Sequence, residues 1–105
     1  MYVIVLKYVK PLPEVDKHMR AHVAYLKAQY RDGVFIASGR RNPRTGGVIL
    51  ARAMSPEALA EILAKDPFFV HGLAEFDIID FATSMYAEAF EPFADDDKVP
   101  RGRVG

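Results

Sequence analysis

Residues 2–9 read Tyr2-Val3-Ile4-Val5-Leu6-Lys7-Tyr8-Val9, and this stretch decides the architecture. Its β-branched and aromatic residues suit a pleated strand. Alternation sends Tyr2, Ile4, Leu6 and Tyr8 to one face, and Val3, Val5 and Val9 to the other. An antiparallel strand with one solvated face alternates apolar with polar residues. Here both faces are apolar, so helices on one side leave a second side that also needs cover. Near the other end of the chain, Phe76 and Ile78 oppose Ile79 and Phe81 in the same manner.

Working outward, Lys10-Pro11-Leu12-Pro13 ends the strand and residues 14–31 predict one amphipathic helix. At about 100° per residue, Val15, Met19, His22, Leu26 and Tyr30 share a narrow face with Val23 at its edge. Lys17, Arg20, Ala24, Lys27 and Arg31 lie opposite, and Gly33 suits a left-handed helix cap. Strands over residues 34–38 and 48–54 flank the turn-forming run Asn42-Pro43-Arg44-Thr45-Gly46-Gly47, which makes them a hairpin. Ser55 and Pro56 then open a helix at N-cap and first position, with Leu59, Ile62 and Leu63 as its stripe. Asp66-Pro67 restarts the chain as one helical turn, and residues 75–83 predict the last strand.

The order strand–helix–strand–strand–helix–strand predicts a ferredoxin-like α+β fold with a four-stranded antiparallel sheet. Right-handed crossovers place both helices on one face. A second copy is the simplest cover for the other face, so the expectation is a homodimer through the helix-free side of the sheet. Residues 1–85 form the expected domain. Residues 86–105, with Asp95-Asp96-Asp97 and Arg101-Gly102-Arg103, are expected to be a C-terminal arm or disordered tail.

Composition narrows the function classes. The chain has 105 residues, a formal net charge of zero and no cysteine. Absence of Cys removes disulfides, thiolate metal sites and thiol nucleophiles. Neutral net charge argues against a nucleic-acid or anionic-membrane binder, whose footprint is basic. No apolar run approaches a membrane span, and the start does not read as a signal peptide. The expectation is a soluble cytoplasmic domain.

His22 is the most informative position because it sits among the apolar residues of the first helix. It is either a core histidine satisfied by one hydrogen bond or a general acid–base in a pocket between helix and sheet. Asp66 is its candidate partner. An Asp before Pro67 also reads as a helix N-cap, and one carboxylate oxygen can cap while the other faces His22. His18 lies one turn before His22, but without a third ligand a metal site is not expected. His71 has no direction fixed by the sequence. Ser38-Gly39-Arg40-Arg41 could hold a ligand through a hydroxyl, a close backbone approach and cationic forks, or could be a solvated strand end. Gly46-Gly47 opens no helix, so no phosphate loop is read, and Ser38 lacks a nucleophile-elbow context.

Four segments together resemble the YciI-like proteins. They are Arg20-Ala21-His22-Val23-Ala24-Tyr25-Leu26, Ala37-Ser38-Gly39, Asp66-Pro67-Phe68, and Gly72 with Glu75-Phe76. The resemblance spans residues 1–85. It implies a ferredoxin-like fold that dimerises into an α+β barrel, related to muconolactone isomerases and cofactor-free monooxygenases. It also implies an active-site His–Asp pair, which maps onto His22 and Asp66, and isomerase or dehydrochlorinase-type lyase chemistry for some members. The short Asn42–Gly47 hairpin, where some relatives carry a longer loop, leaves the substrate open. The leading expectation is therefore a cofactor-free enzyme acting on a small cyclic or aromatic acid. His22 and Asp66 would carry the proton chemistry, and Ser38, Gly39 and Arg40 would contact substrate. The alternative is a non-catalytic ligand-binding or interaction dimer.

Overall fold

The opening stretch becomes β1 (Tyr2–Tyr8). In the computed structural model, which describes residues 1–95, it is a central strand of a four-stranded sheet. The other strands are β2 (Phe35–Arg40), β3 (Gly46–Ala51) and β4 (Ala74–Asp80). Their spatial order is β2-β3-β1-β4, and every neighbouring pair is antiparallel. That order, with helices inserted after β1 and after β3, is the ferredoxin-like α+β arrangement.

One face of β1 meets the helices. Ile4 is opposite Ile49 on one side and Ile78 on the other. Tyr2, Ile4 and Leu6 are buried in a cluster with Val15, Phe35, Leu59, Leu63 and Phe68. Each such side chain contributes about 1.5–3 kcal/mol by leaving water. On the other face, register places Val3 beside Leu50 and Ile79, and Val5 beside Val48. On this side Ile79 and Phe81 remain exposed among the described residues.

The helical segments depart from the periodicity in one respect. The helix expected over residues 14–31 is two helices, α1 (Leu12–Asp16) and α2 (Met19–Arg31). Between them the chain tightens, with His18 N–H donating to Val15 O at 3.0 Å and His18 at φ −111°. No Gly or Pro stands at the break. The His18 ring stacks on His71 with centroids 3.9 Å apart, a distant contact to which local periodicity is blind. The later helices follow their caps. Ser55 accepts from Ala58 N–H at 3.1 Å to open α3 (Pro56–Leu63), and Asp66 caps α4 (Pro67–Val70).

Strand ends differ from those expected. β3 and β4 stop at Ala51 and Asp80, both opposite Tyr2 where β1 begins, and beyond them Phe81 N–H still donates to Met1 O at 3.0 Å. β3 starts earlier than expected because Gly46 and Gly47 pair with Lys7 and Leu6. A Cβ at Gly46 would lie 1.8 Å from Leu6 O, so glycine is required there by close approach. Beyond β4, a 3₁₀ helix (Glu88–Phe93) lies where Arg52 donates to Pro92 O and sits over the Phe93 ring. The Asp95 carboxylate accepts from Thr83 N–H at 2.6 Å and from the Met1 ammonium at 2.8 Å. Asp95, within the expected arm or tail, is therefore a docked residue. Asp96, Asp97 and the Arg101–Arg103 run lie outside the described residues.

Candidate active site

His22 is the sole buried residue of α2, at 8% exposure. Its apolar neighbours Met19, Val23 and Leu26 wall an open cleft of about 350 Å³, while Met19 and Leu26 also touch the core. The cleft lies between α2 and the sheet, with Leu6 and Tyr8 of β1 on its opposite side. The helix face is thus only partly used for packing. The remainder is surface that a ligand could cover.

Asp66 is fully buried behind His22. Its Oδ1 accepts from Phe68 N–H at 2.9 Å as the N-cap of α4, and lies 2.7 Å from His22 Nδ1. A carboxylate can only accept, so the Nδ1 position carries the proton. One oxygen therefore performs both functions that were expected of two. Its twin Oδ2 is buried without a hydrogen-bond partner among the described residues. The Phe68 ring stacks on the imidazole, with centroids 3.9 Å apart and planes 3° from parallel. Held at Nδ1 and on a ring face, the imidazole has one orientation, and its Nε2 is the nitrogen left for a ligand in the cleft.

Tyr25, one turn along α2, was not singled out from the sequence. Its hydroxyl donates to Ile62 O at 2.8 Å. Burial, and secondarily the Asp66 charge, push its phenol well above the ordinary tyrosine range, so it remains neutral beside the pair.

Ser38, Gly39 and Arg40 all line the cleft. The Ser38 hydroxyl bonds to the Tyr30 hydroxyl, so an incoming ligand would share it with Tyr30. Arg40 is exposed at the rim, whereas Arg41 is not part of the lining. Sequence reasoning also passed over Arg44. It is half-buried, lines the same cleft, and donates to Asp16 Oδ1 of α1. That bond, the largest effect, together with lesser contributions from the Asp16 charge and from Tyr8, outweighs desolvation, raises its pKa further and keeps the guanidinium charged. A turn-forming run gives no hint that one of its side chains folds back over a cleft. His18 and His71 pair with each other and contribute no lining.

Residues 1–82 match the YCII-related domain. The chain belongs to that family. Among curated proteins, none matches the sequence. A similar solved structure is 5-chloro-2-hydroxyhydroquinone dehydrochlorinase from Burkholderia phenoliruptrix, in complex with 2,5-dihydroxybenzoquinone. The TM-score is 0.66 at 19% identity, over 80% of this chain and 96% of that chain. At that identity the likeness speaks for the YCII-related fold, and the site of this chain is argued from its own residues. Among the described residues, no helix is long and apolar enough to cross a membrane.

Proposed function

We propose that this chain is a cofactor-free small-molecule enzyme that moves a proton, of the isomerase or dehydrochlorinase-like lyase type, on a small cyclic or aromatic acid. One observation carries the reading: a buried carboxylate 2.7 Å from Nδ1 of a histidine that walls an apolar cleft. His22 Nε2 accepts a proton from a substrate carbon or hydroxyl next to a carbonyl. The electron pair left behind forms an enolate, or expels a leaving group such as chloride from the adjacent position. In the first case His22 returns the proton elsewhere on the substrate; in the second, the proton and the halide are both lost. Asp66 acts through His22 as a positioning residue, fixing its tautomer and stabilising the imidazolium. Ser38 and Arg40 lie where a developing oxyanion could be held. The named activity of the similar solved structure is of this reaction type.

The test is proton exchange and chloride release. Wild-type chain should catalyse deuterium exchange next to the carbonyl in a set of small cyclic keto acids, or release chloride from 5-chloro-2-hydroxyhydroquinone. His22→Gln should lower either rate by about 10²–10⁴, the usual worth of a general base, while unfolding in urea stays close to wild type. Equal rates in the two proteins overturn the reading. The cap bond from Phe68 N–H to Asp66 favours a second reading, a binding module in which His22 and Asp66 only hold the fold. It expects lost stability and no turnover to lose.

We further propose that a second copy covers the helix-free face around Val3, Val5, Val48, Leu50 and Ile79, closing the paired sheets into an α+β barrel. By register these side chains adjoin one another, with Asp77 beside Val5 at the β4 edge, and an apolar centre with a polar edge suits a subunit interface.

A further inference from the structure

We propose that Arg44 recognises the negatively charged group of the ligand, and that Asp16 occupies the guanidinium until that group arrives. The inference rests on the reading of the cleft as a substrate site and adds the residue that selects for charge.

Three observations converge on Arg44. Among the described residues, the ionisable side chains lining the cleft are Tyr8, His22, Arg40 and Arg44, with no Asp or Glu. The Asp66 carboxylate beside His22 is buried behind the imidazole and already accepts two bonds. A cleft with this lining favours an anion. Second, the two arginines are not equivalent: Arg40 is exposed, whereas the Arg44 side chain is only 30% exposed. A partly desolvated guanidinium interacts more strongly with a carboxylate than one in open water.

Third, Arg44 is held in place. Its Nη2 donates to Asp16 Oδ1, and the Asp16 side chain is 53% exposed at the outer rim. A guanidinium offers five N–H donors in a rigid fork, and this contact engages one side of it. The Tyr8 hydroxyl on the cleft wall also reaches the guanidinium, and the donors engaged by neither are left to meet a planar carboxylate or enolate. Arg44 comes from the β2–β3 turn and His22 from α2, so an acid bound at Arg44 is presented to the imidazole from across the cleft. Asp16 limits affinity because it competes for the same cation.

The experiment is an NMR titration of the full chain with acetate, benzoate and salicylate, each against its neutral amide. The acids should give saturable shifts at the Ser38, Gly39 and Arg40 amides, and the amides should not. Arg44→Gln should weaken acid binding by about tenfold or more, as loss of a charge-assisted fork does. Arg44→Lys should fall between, and Arg40→Gln should cost less than Arg44→Gln. Asp16→Asn should tighten acid binding several-fold. Equal acid binding in wild type and Arg44→Gln overturns the proposal, as do amides that bind as well as acids, or no saturable shift with any acid. Repeating the titration on His22→Gln separates the two proposals. Acid binding retained there supports Arg44 whatever the exchange assay returns, and acid binding lost there with Arg44 intact counts against it.

Discussion

At the residue scale, Asp66 combines two functions in one oxygen, and substitutions can separate them. Asn caps a helix about as well as Asp. Asp66→Asn should therefore hold α4 in place and keep most of the stability, while removing the charge that steadies a protonated His22. The expected outcome is an exchange rate at least about 100-fold lower with a urea midpoint little changed, whereas Asp66→Ala should lose both. Tyr25 supplies a pH test. Its phenol is raised in the folded chain, so above about pH 10, the ordinary value, the unfolded state sheds a proton that the folded state keeps. The unfolded state then binds fewer protons and stability falls as pH rises. Thermal unfolding between pH 9 and 12 should show that decline, and Tyr25→Phe should flatten it. The places of His22 and Asp66 were legible in the sequence because one is polar on an apolar helix face and the other precedes a proline. Arg44, Tyr25 and the Tyr30–Ser38 bond were not, because each depends on contacts between elements that local pattern does not encode.

At the element scale, the two glycines flanking the hairpin make opposite demands. A Cβ at Gly46 would overlap the Leu6 carbonyl at 1.8 Å, and that atom is backbone at the centre of the sheet. Gly46→Ala should cost at least about 3 kcal/mol, in the range of severe overpacking, measured by urea unfolding. A Cβ at Gly39 meets nothing within 4 Å. Gly39→Ala should fold normally, and any effect should appear in ligand binding, since Gly39 lines the cleft. The fold itself was legible in the alternation of residues 2–9 and in the Ser55 and Asp66 caps. What local pattern missed was where elements stop. The break at His18 coincides with a ring stacked on a partner far along the chain, and β3 and β4 end beside the start of β1.

At the scale of the whole molecule, β1 divides two apolar surfaces. Leu6 and Tyr8 point to the cleft, and Val3 and Val5 to the helix-free side. If that side is a subunit interface, light scattering at micromolar concentration should give about twice the chain mass. Val5→Glu would set two carboxylates into the apolar centre of that interface and should yield monomer. A wild-type chain that runs as a monodisperse monomer would refute the interface. The C-terminal region has its own test. Asp95 joins Thr83 and Met1, so Asp95→Ala should lower stability by about 1–3 kcal/mol through the donors it leaves behind.

The sharing of Asp66 Oδ1 makes the Phe68 amide a built-in reporter of events in the cleft. Two donors compete for one acceptor, so whatever strengthens the pull from His22 slackens the pull on Phe68. When the imidazole gains a proton, the Phe68 amide resonance should move upfield and its hydrogen exchange should quicken. Emptying the cleft of that proton should reverse both. The backbone thus carries a silent record of the chemistry one side chain away, readable without knowing the substrate.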